Sequence, residues 1–216
     1  MKLKQHEILI MAGDSVTDVG RQQPQGEDIS PNPGWGAGYV NLVGGWLGAE
    51  YPELQVRVIN QGTSGNQARD LLARWDRDVL AKQPTWITVL IGINDVWRKF
   101  DAAHIAEMQV TLEAYERDLA AIVEKTLPVT RNLVLMTPYM IEPNRADAMR
   151  AEMDRFGAAA KRVAARYGLA CLDLQAQFDA LLQTMHPMQF GWDRIHPNIV
   201  GHTLIANTFL RYIEAL

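Results

Sequence analysis

The sequence predicts an α/β fold: one domain, a three-layer α/β/α sandwich with a five-stranded parallel sheet as its middle layer. Three observations predict it. Short apolar runs alternate with longer segments of helical periodicity along the whole 216 residues. The first run, from Ile8, and the run from Trp86 are apolar almost throughout, as strands covered on both faces are. No repeat and no linker separates core-sized halves, so residues 1–216 are expected to form a single domain.

The elements follow in order. Ile8-Leu9-Ile10-Met11-Ala12 is the first strand and ends abruptly in Gly13-Asp14-Ser15. A Gly/Pro-rich segment from Gly20 to Gly38 follows, too interrupted for regular structure. A loop of that length is either one wall of a site or a surface loop. Residues 39–51 read as a helix that stops before Pro52, and residues 54–60 as the second strand. After a turn at Gly62 to Asn66, the residues Ala68, Leu71, Leu72, Trp75 and Val79 form one apolar stripe of a helix. Residues 86–91 are the third strand, ending in Gly92-Ile93-Asn94-Asp95. A long helix is expected over 104–125, a fourth strand over 133–136 and a helix over 146–167. A short fifth strand at 169–174 and a helix at 175–182 come next. The last helix carries Ile205, Phe209, Tyr212, Ile213 and Leu216 on one face.

Composition narrows the function. The chain is 48% hydrophobic and 21% charged, with a formal net charge of −4 and no Lys/Arg block, which argues against nucleic acid as a partner. No segment approaches the ~20 apolar residues of a membrane helix. The first residues show no apolar signal core and cleavage site, and the single Cys171 allows no internal disulfide. Together these favour a cytoplasmic protein. Gly-x-Ser-x-Gly, Gly-x-Gly-x-x-Gly after a strand and the Walker sequence are all missing. Asp193 and His196 lack the further ligands and spacing that a zinc site needs, so no metal is expected.

The chemistry lies at the strand ends. In a parallel sheet the loops leaving neighbouring strands meet in one crevice, which gathers Gly13-Asp14-Ser15, Gly62 to Asn66 and Gly92 to Asp95. Asp193 to His196, before the last helix, can lie across it. In that arrangement Ser15 is a nucleophile, His196 its base and Asp193 the group that holds the imidazole. Gly65, the Asn94 amide and the Ser15 N–H are the candidate oxyanion donors, Gly62 being a rival to Gly65. The plainer alternative is that Asp14 or Ser15 simply caps a helix. His6 and His104 read as surface residues, and His186 and His202 as structural or surface ones. Asp14 and Asp95 read as loop braces that accept backbone N–H bonds.

Gly13-Asp14-Ser15-Val16, Gly65, Gly92 to Asp95 and Asp193-Arg194-Ile195-His196-Pro197 resemble the four blocks of the SGNH/GDSL hydrolases, in that family's order. Val16 replaces the leucine of the family's name. The likeness to bacterial intracellular acetylxylan esterases of this family extends through 13–20, 39–46, 60–75, 92–97, 136–138 and 192–201. It implies a flavodoxin-like SGNH fold, with Ser15, His196 and Asp193 as triad and Ser15, Gly65 and Asn94 as oxyanion donors. It also implies removal of acetyl groups from xylo-oligosaccharides, no cofactor, and a homo-oligomer. Trp192, Trp97 and Tyr139 are expected to line the substrate site, Trp192 beside the acyl group; core packing is the alternative for each. Other short-chain esters or thioesters, and a non-catalytic flavodoxin-like binding protein, are the rival functions.

Overall fold

The computed structural model describes residues 1–21 and 34–216, so the middle of the Gly20 to Gly38 segment lies outside the described residues. Five parallel strands, β1 (Ile8–Gly13), β2 (Arg57–Gly62), β3 (Trp86–Leu90), β4 (Leu133–Met136) and β5 (Ala170–Leu172), form one sheet in the order β2-β1-β3-β4-β5. The chain leaves β1 in one direction to reach β2, then returns past it to β3. Right-handed crossovers therefore place the intervening helices on opposite faces. One layer contains α2 (Tyr39–Glu50), α7 (Leu174–Leu181) and α8 (Ile199–Tyr212), with α8 against both others. The other contains α3 (Ala68–Asp78), α5 (Leu112–Thr126) and α6 (Ala148–Tyr167), packed in that order. The three-layer expectation is met.

Covering both faces explains the apolar strands: Leu9, Ile10, Met11 and Ala12 are all completely buried. Local chemistry sets the helix ends. The Asp147 carboxylate accepts from the N–H groups of Met149 and Arg150 to start α6, and Gly168, at φ 65°, ends it.

Two expected elements are corrected. The second strand does not begin at 54: Pro52–Leu54 make a 3-10 turn and Gln55 sits at φ 48°, so the strand starts at Arg57 and runs on to Gly62. The helix expected over 104–125 begins at Leu112, where the Thr111 hydroxyl accepts from the Ala114 N–H. Upstream, Ile93–Asp101 form a separate helix, α4. The Gln109 amide donates to the carbonyls of Arg98, Ala102 and Ile105, satisfying the end of α4 that a continuous helix would have satisfied itself.

The register aligns the strand ends. Gly13 pairs with Gly62 on one side and Leu90 on the other, so β1, β2 and β3 finish level. Beyond Gly13 the chain turns through Asp14 into a one-turn helix, α1 (Ser15–Asp18), which lies directly on the end of β2. That closeness requires glycine: a Cβ on Gly62 would stand 2.2 Å from the Asp18 nitrogen.

Candidate active site

Ser15 is the first residue of α1 and is half-buried at the sheet's carboxyl edge. It does not serve as the cap, a role taken by Asp14, whose Oδ1 accepts from the Val16 N–H at 3.0 Å. The serine hydroxyl is thereby free for a different bond. Its Oγ lies 2.7 Å from His196 Nε2. His196 Nδ1 lies 2.6 Å from Asp193 Oδ2. The remaining oxygen of Asp193 accepts from the backbone N–H groups of Ile195 at 3.0 Å and His196 at 2.9 Å. This tight turn is possible because Arg194 adopts φ 61° and because Gly191 lets the His196 carbonyl come within 2.4 Å of where a Cβ would be.

Burial alone would raise the Asp193 carboxyl. The imidazole and the two backbone donors outweigh it and hold the group below the usual carboxylate range. An ionised Asp193 only accepts, so Nδ1 carries the imidazole proton and Nε2 presents its lone pair to the serine. Around this turn, Ile141 N–H donates to the Arg194 carbonyl at 2.9 Å, and the Arg194 guanidinium reaches Glu142 at 2.6 Å and Asp147 at 3.4 Å.

The loops from β2 and β3 complete the edge. Gly65 is exposed, at φ 83°, in the turn after β2. Its rival Gly62 is buried against α1 and serves close packing instead. Asn94 is buried in the first turn of α4. Its Nδ2 donates to the Asn66 carbonyl at 3.0 Å and its Oδ1 accepts from Arg98 at 3.1 Å. Both carboxylate oxygens of Asp95 share the Ala68 N–H at 3.1 Å, tying α4 to the start of α3. Asp18 accepts from the backbone and hydroxyl of Ser64. These acids are loop braces.

The three aromatic residues fall differently. The Trp97 ring meets His196 edge-on, with centroids 5.6 Å apart, which places it beside the triad. Trp192 is 91% exposed and is not packed against the described residues. Tyr139 is corrected: it is wholly buried, stacks on Phe178 at 4.3 Å, and donates to the Ile195 carbonyl at 3.3 Å. It therefore supports the catalytic turn from below rather than meeting a ligand. His202 is buried against Tyr39, and burial, then the neighbouring His196, lowers it to about 4. Among the described residues, no three His, Cys, Asp or Glu side chains gather as a metal site.

Asp14 and Asp95 carry a pH dependence. Burial raises both carboxyls to about 7 despite their backbone bonds, and Asp14 Oδ2 has no partner among the described residues. The folded chain thus holds protons that the unfolded chain, titrating near 3.8, has released. The stability cost grows as pH rises from about 4 to about 7 and is constant above. Asp95→Asn removes one such group. Relative to wild type, that variant is expected to gain about 2 kcal/mol between roughly pH 5 and pH 8, read from urea unfolding at each pH. An unchanged difference between the two pH values would show that Asp95 is already ionised at the acid end.

A hydroxyl bonded to an imidazole, itself bonded to a carboxylate, on the ligand-binding edge of a doubly wound sheet is the constellation of a serine hydrolase. The chain belongs to the GDSL-like lipase/acylhydrolase family, whose model matches residues 11–204, and it is a carboxylic ester hydrolase. It is 45% identical over 213 residues to an acetylxylan esterase of Geobacillus stearothermophilus, covering 99% of this chain and 96% of that one. A crystal structure of a catalytic serine-to-alanine mutant of that esterase, Axe2, matches with a TM-score of 0.95 over the same shares, at 45% identity. LAE5, an α/β hydrolase from the metagenome of Lake Arreo, Spain, matches with a TM-score of 0.96 at 46% identity, over 100% of this chain and 99% of its own. Further structures of Axe2 are catalytic mutants at a histidine and at an aspartate, and one is described as an acetyl-xylooligosaccharide esterase.

Proposed function

We propose that this chain, acting as one catalytic domain over residues 1–216, removes acetyl groups from acetylated xylo-oligosaccharides. The unbroken Ser15–His196–Asp193 relay, in a chain 45% identical to an acetylxylan esterase end to end, carries the proposal. Ser15 Oγ attacks the acetyl carbonyl carbon while His196 Nε2 takes its proton. The resulting oxyanion is held by the N–H groups of Ser15 and Gly65 and by the Asn94 amide. His196 then gives the proton to the departing sugar oxygen, the C–O bond breaks, and an acetyl group remains on Ser15 Oγ. Water, deprotonated by His196, attacks that acyl-enzyme; His196 returns the proton to Ser15 Oγ as the acyl–oxygen bond breaks, and acetate leaves. Asp193 stays ionised throughout and stabilises the imidazolium. No step calls for a cofactor or metal.

Trp97 beside His196 supports a small acyl group, and Trp192, exposed next to Asp193, supports contact with a sugar face. A homo-oligomer in the cytoplasm is part of the same reading. Exposed Met188, Trp192, Ile199 and Val200 around the catalytic turn support the oligomer. Among the described residues no helix is long and apolar enough to cross a membrane.

Acetate release from acetylated xylo-oligosaccharides, set beside a chain-length series of 4-nitrophenyl esters, tests the proposal. Fast acetate release and a steep decline beyond short acyl chains are expected. Hydrolysis of 4-nitrophenyl acetate without acetate release from the oligosaccharides would retain the mechanism and discard the substrate.

A further inference from the structure

Arg74 lies in the second turn of α3, outside all four sequence blocks, and its side chain is only 9% exposed. The neighbouring inward residues of α3, Leu71 and Trp75, are apolar and completely buried. Packing alone would be met by another apolar residue, and burying a guanidinium is costly unless its donors are used. They are used. One terminal nitrogen donates to the Gly13 carbonyl at 3.1 Å and to the Gln61 carbonyl at 2.9 Å. The Nε donates to Asn66 Oδ1 at 2.7 Å. Asp78, one helical turn on, stands at 3.5 Å as counter-charge.

The acceptors have positions in common. Gly13 ends β1, two residues before Ser15, and Gln61 lies at the end of β2. Asn66 follows Gly65, and its own carbonyl is the acceptor of Asn94 Nδ2. One planar cation thus joins the strand that carries the nucleophile to the loop that carries Gly65, and through Asn66 reaches the Asn94 amide. Arg98 holds the other end of that amide. One Nδ2–H is committed to Asn66 and the second, without an acceptor among the described residues, is available to a substrate oxygen. A donor array aimed at a developing charge gives its full effect only when its spacing is fixed beforehand.

We infer that Arg74 is a positioning residue: through Asn66 it sets the Gly65 N–H and the Asn94 amide at their working distance from Ser15. This rests on the oxyanion assignment made above. Lysine cannot replace it, since a single ammonium does not present the same rigid fork to acceptors on two strands and a loop.

The test compares Arg74→Lys, Arg74→Met and Asn66→Ala with Asn94→Ala as reference. The readouts are kcat and KM on 4-nitrophenyl acetate, affinity for a small boronic acid that forms a tetrahedral adduct on Ser15, and melting temperature. Asn66 is half-exposed and its truncation leaves both strand bonds of Arg74 in place, so Asn66→Ala decides the matter where an Arg74 variant fails to fold. It is expected to lose about 10-fold in kcat and in boronate affinity, with KM within about twofold; Arg74→Met is expected to lose about 100-fold. The Asn66→Ala/Asn94→Ala double variant is expected to fall well short of the product of the single losses. Unchanged kcat and boronate affinity in Asn66→Ala, while Asn94→Ala costs turnover, would overturn the inference and leave the oxyanion assignment standing. A silent Asn94→Ala would remove that assignment and the inference with it.

Discussion

Replacing Ser15 by alanine is expected to lower kcat by about a million-fold, close to 8 kcal/mol of transition-state stabilisation, without unfolding the chain. The size follows from chemistry: without Oγ there is no covalent intermediate, and His196 has no proton to take. The intact fold follows from the local bonds. Among the described residues Ser15 Oγ bonds only to His196, while the cap of α1 belongs to Asp14. The effect of His196→Ala should be nearly as large, because triad members act as a unit. Initial rates with 4-nitrophenyl acetate, circular dichroism, and the mass shift after a serine-directed phosphonate measure all three claims. Turnover by purified Ser15→Ala above the level of contaminating esterase would refute the nucleophile.

Asp193→Asn is expected to cost about 10,000-fold in kcat, with the geometry preserved. Asp193 Oδ1 receives two backbone N–H groups, so an asparagine there must keep its oxygen on that side. Its NH2 then faces His196 Nδ1, which has to accept. The imidazole proton moves to Nε2, the atom 2.7 Å from Ser15 Oγ, and the base no longer has a lone pair for the nucleophile. Activity near wild type in a variant with an unchanged melting temperature would show that the carboxylate does not set the tautomer.

The strands and the four blocks were legible because each obeys a local rule. β1 and β3 are apolar runs cut off by glycine, and the triad residues sit in short strings whose order carries the resemblance. What escaped was decided by distant partners. The helix α4 is short, and its end is closed by the Gln109 side chain rather than by a signal of its own. Arg74 looks like any surface arginine in a polar stretch until the ends of β1 and β2 are seen beneath it. Tyr139 follows Thr137-Pro138 at a strand end, where a ligand-facing ring and a core ring read alike; only Phe178, from α7, shows which it is. Trp192 differs again: adjacency to Asp193 in sequence says nothing about which way an indole faces, and this one faces solvent.

Ser15 and His196 stand 181 positions apart. A ribosome therefore delivers the nucleophile early and its base late, and four of the five strands, β2 to β5, are made in between. The growing chain is chemically silent through that interval. Its serine has no imidazole partner until His196, just ahead of α8, has been made and set against it. Activity in this protein is a report that the segment around His196 has been made and folded, which makes ester hydrolysis a sensitive assay of synthesis past that point.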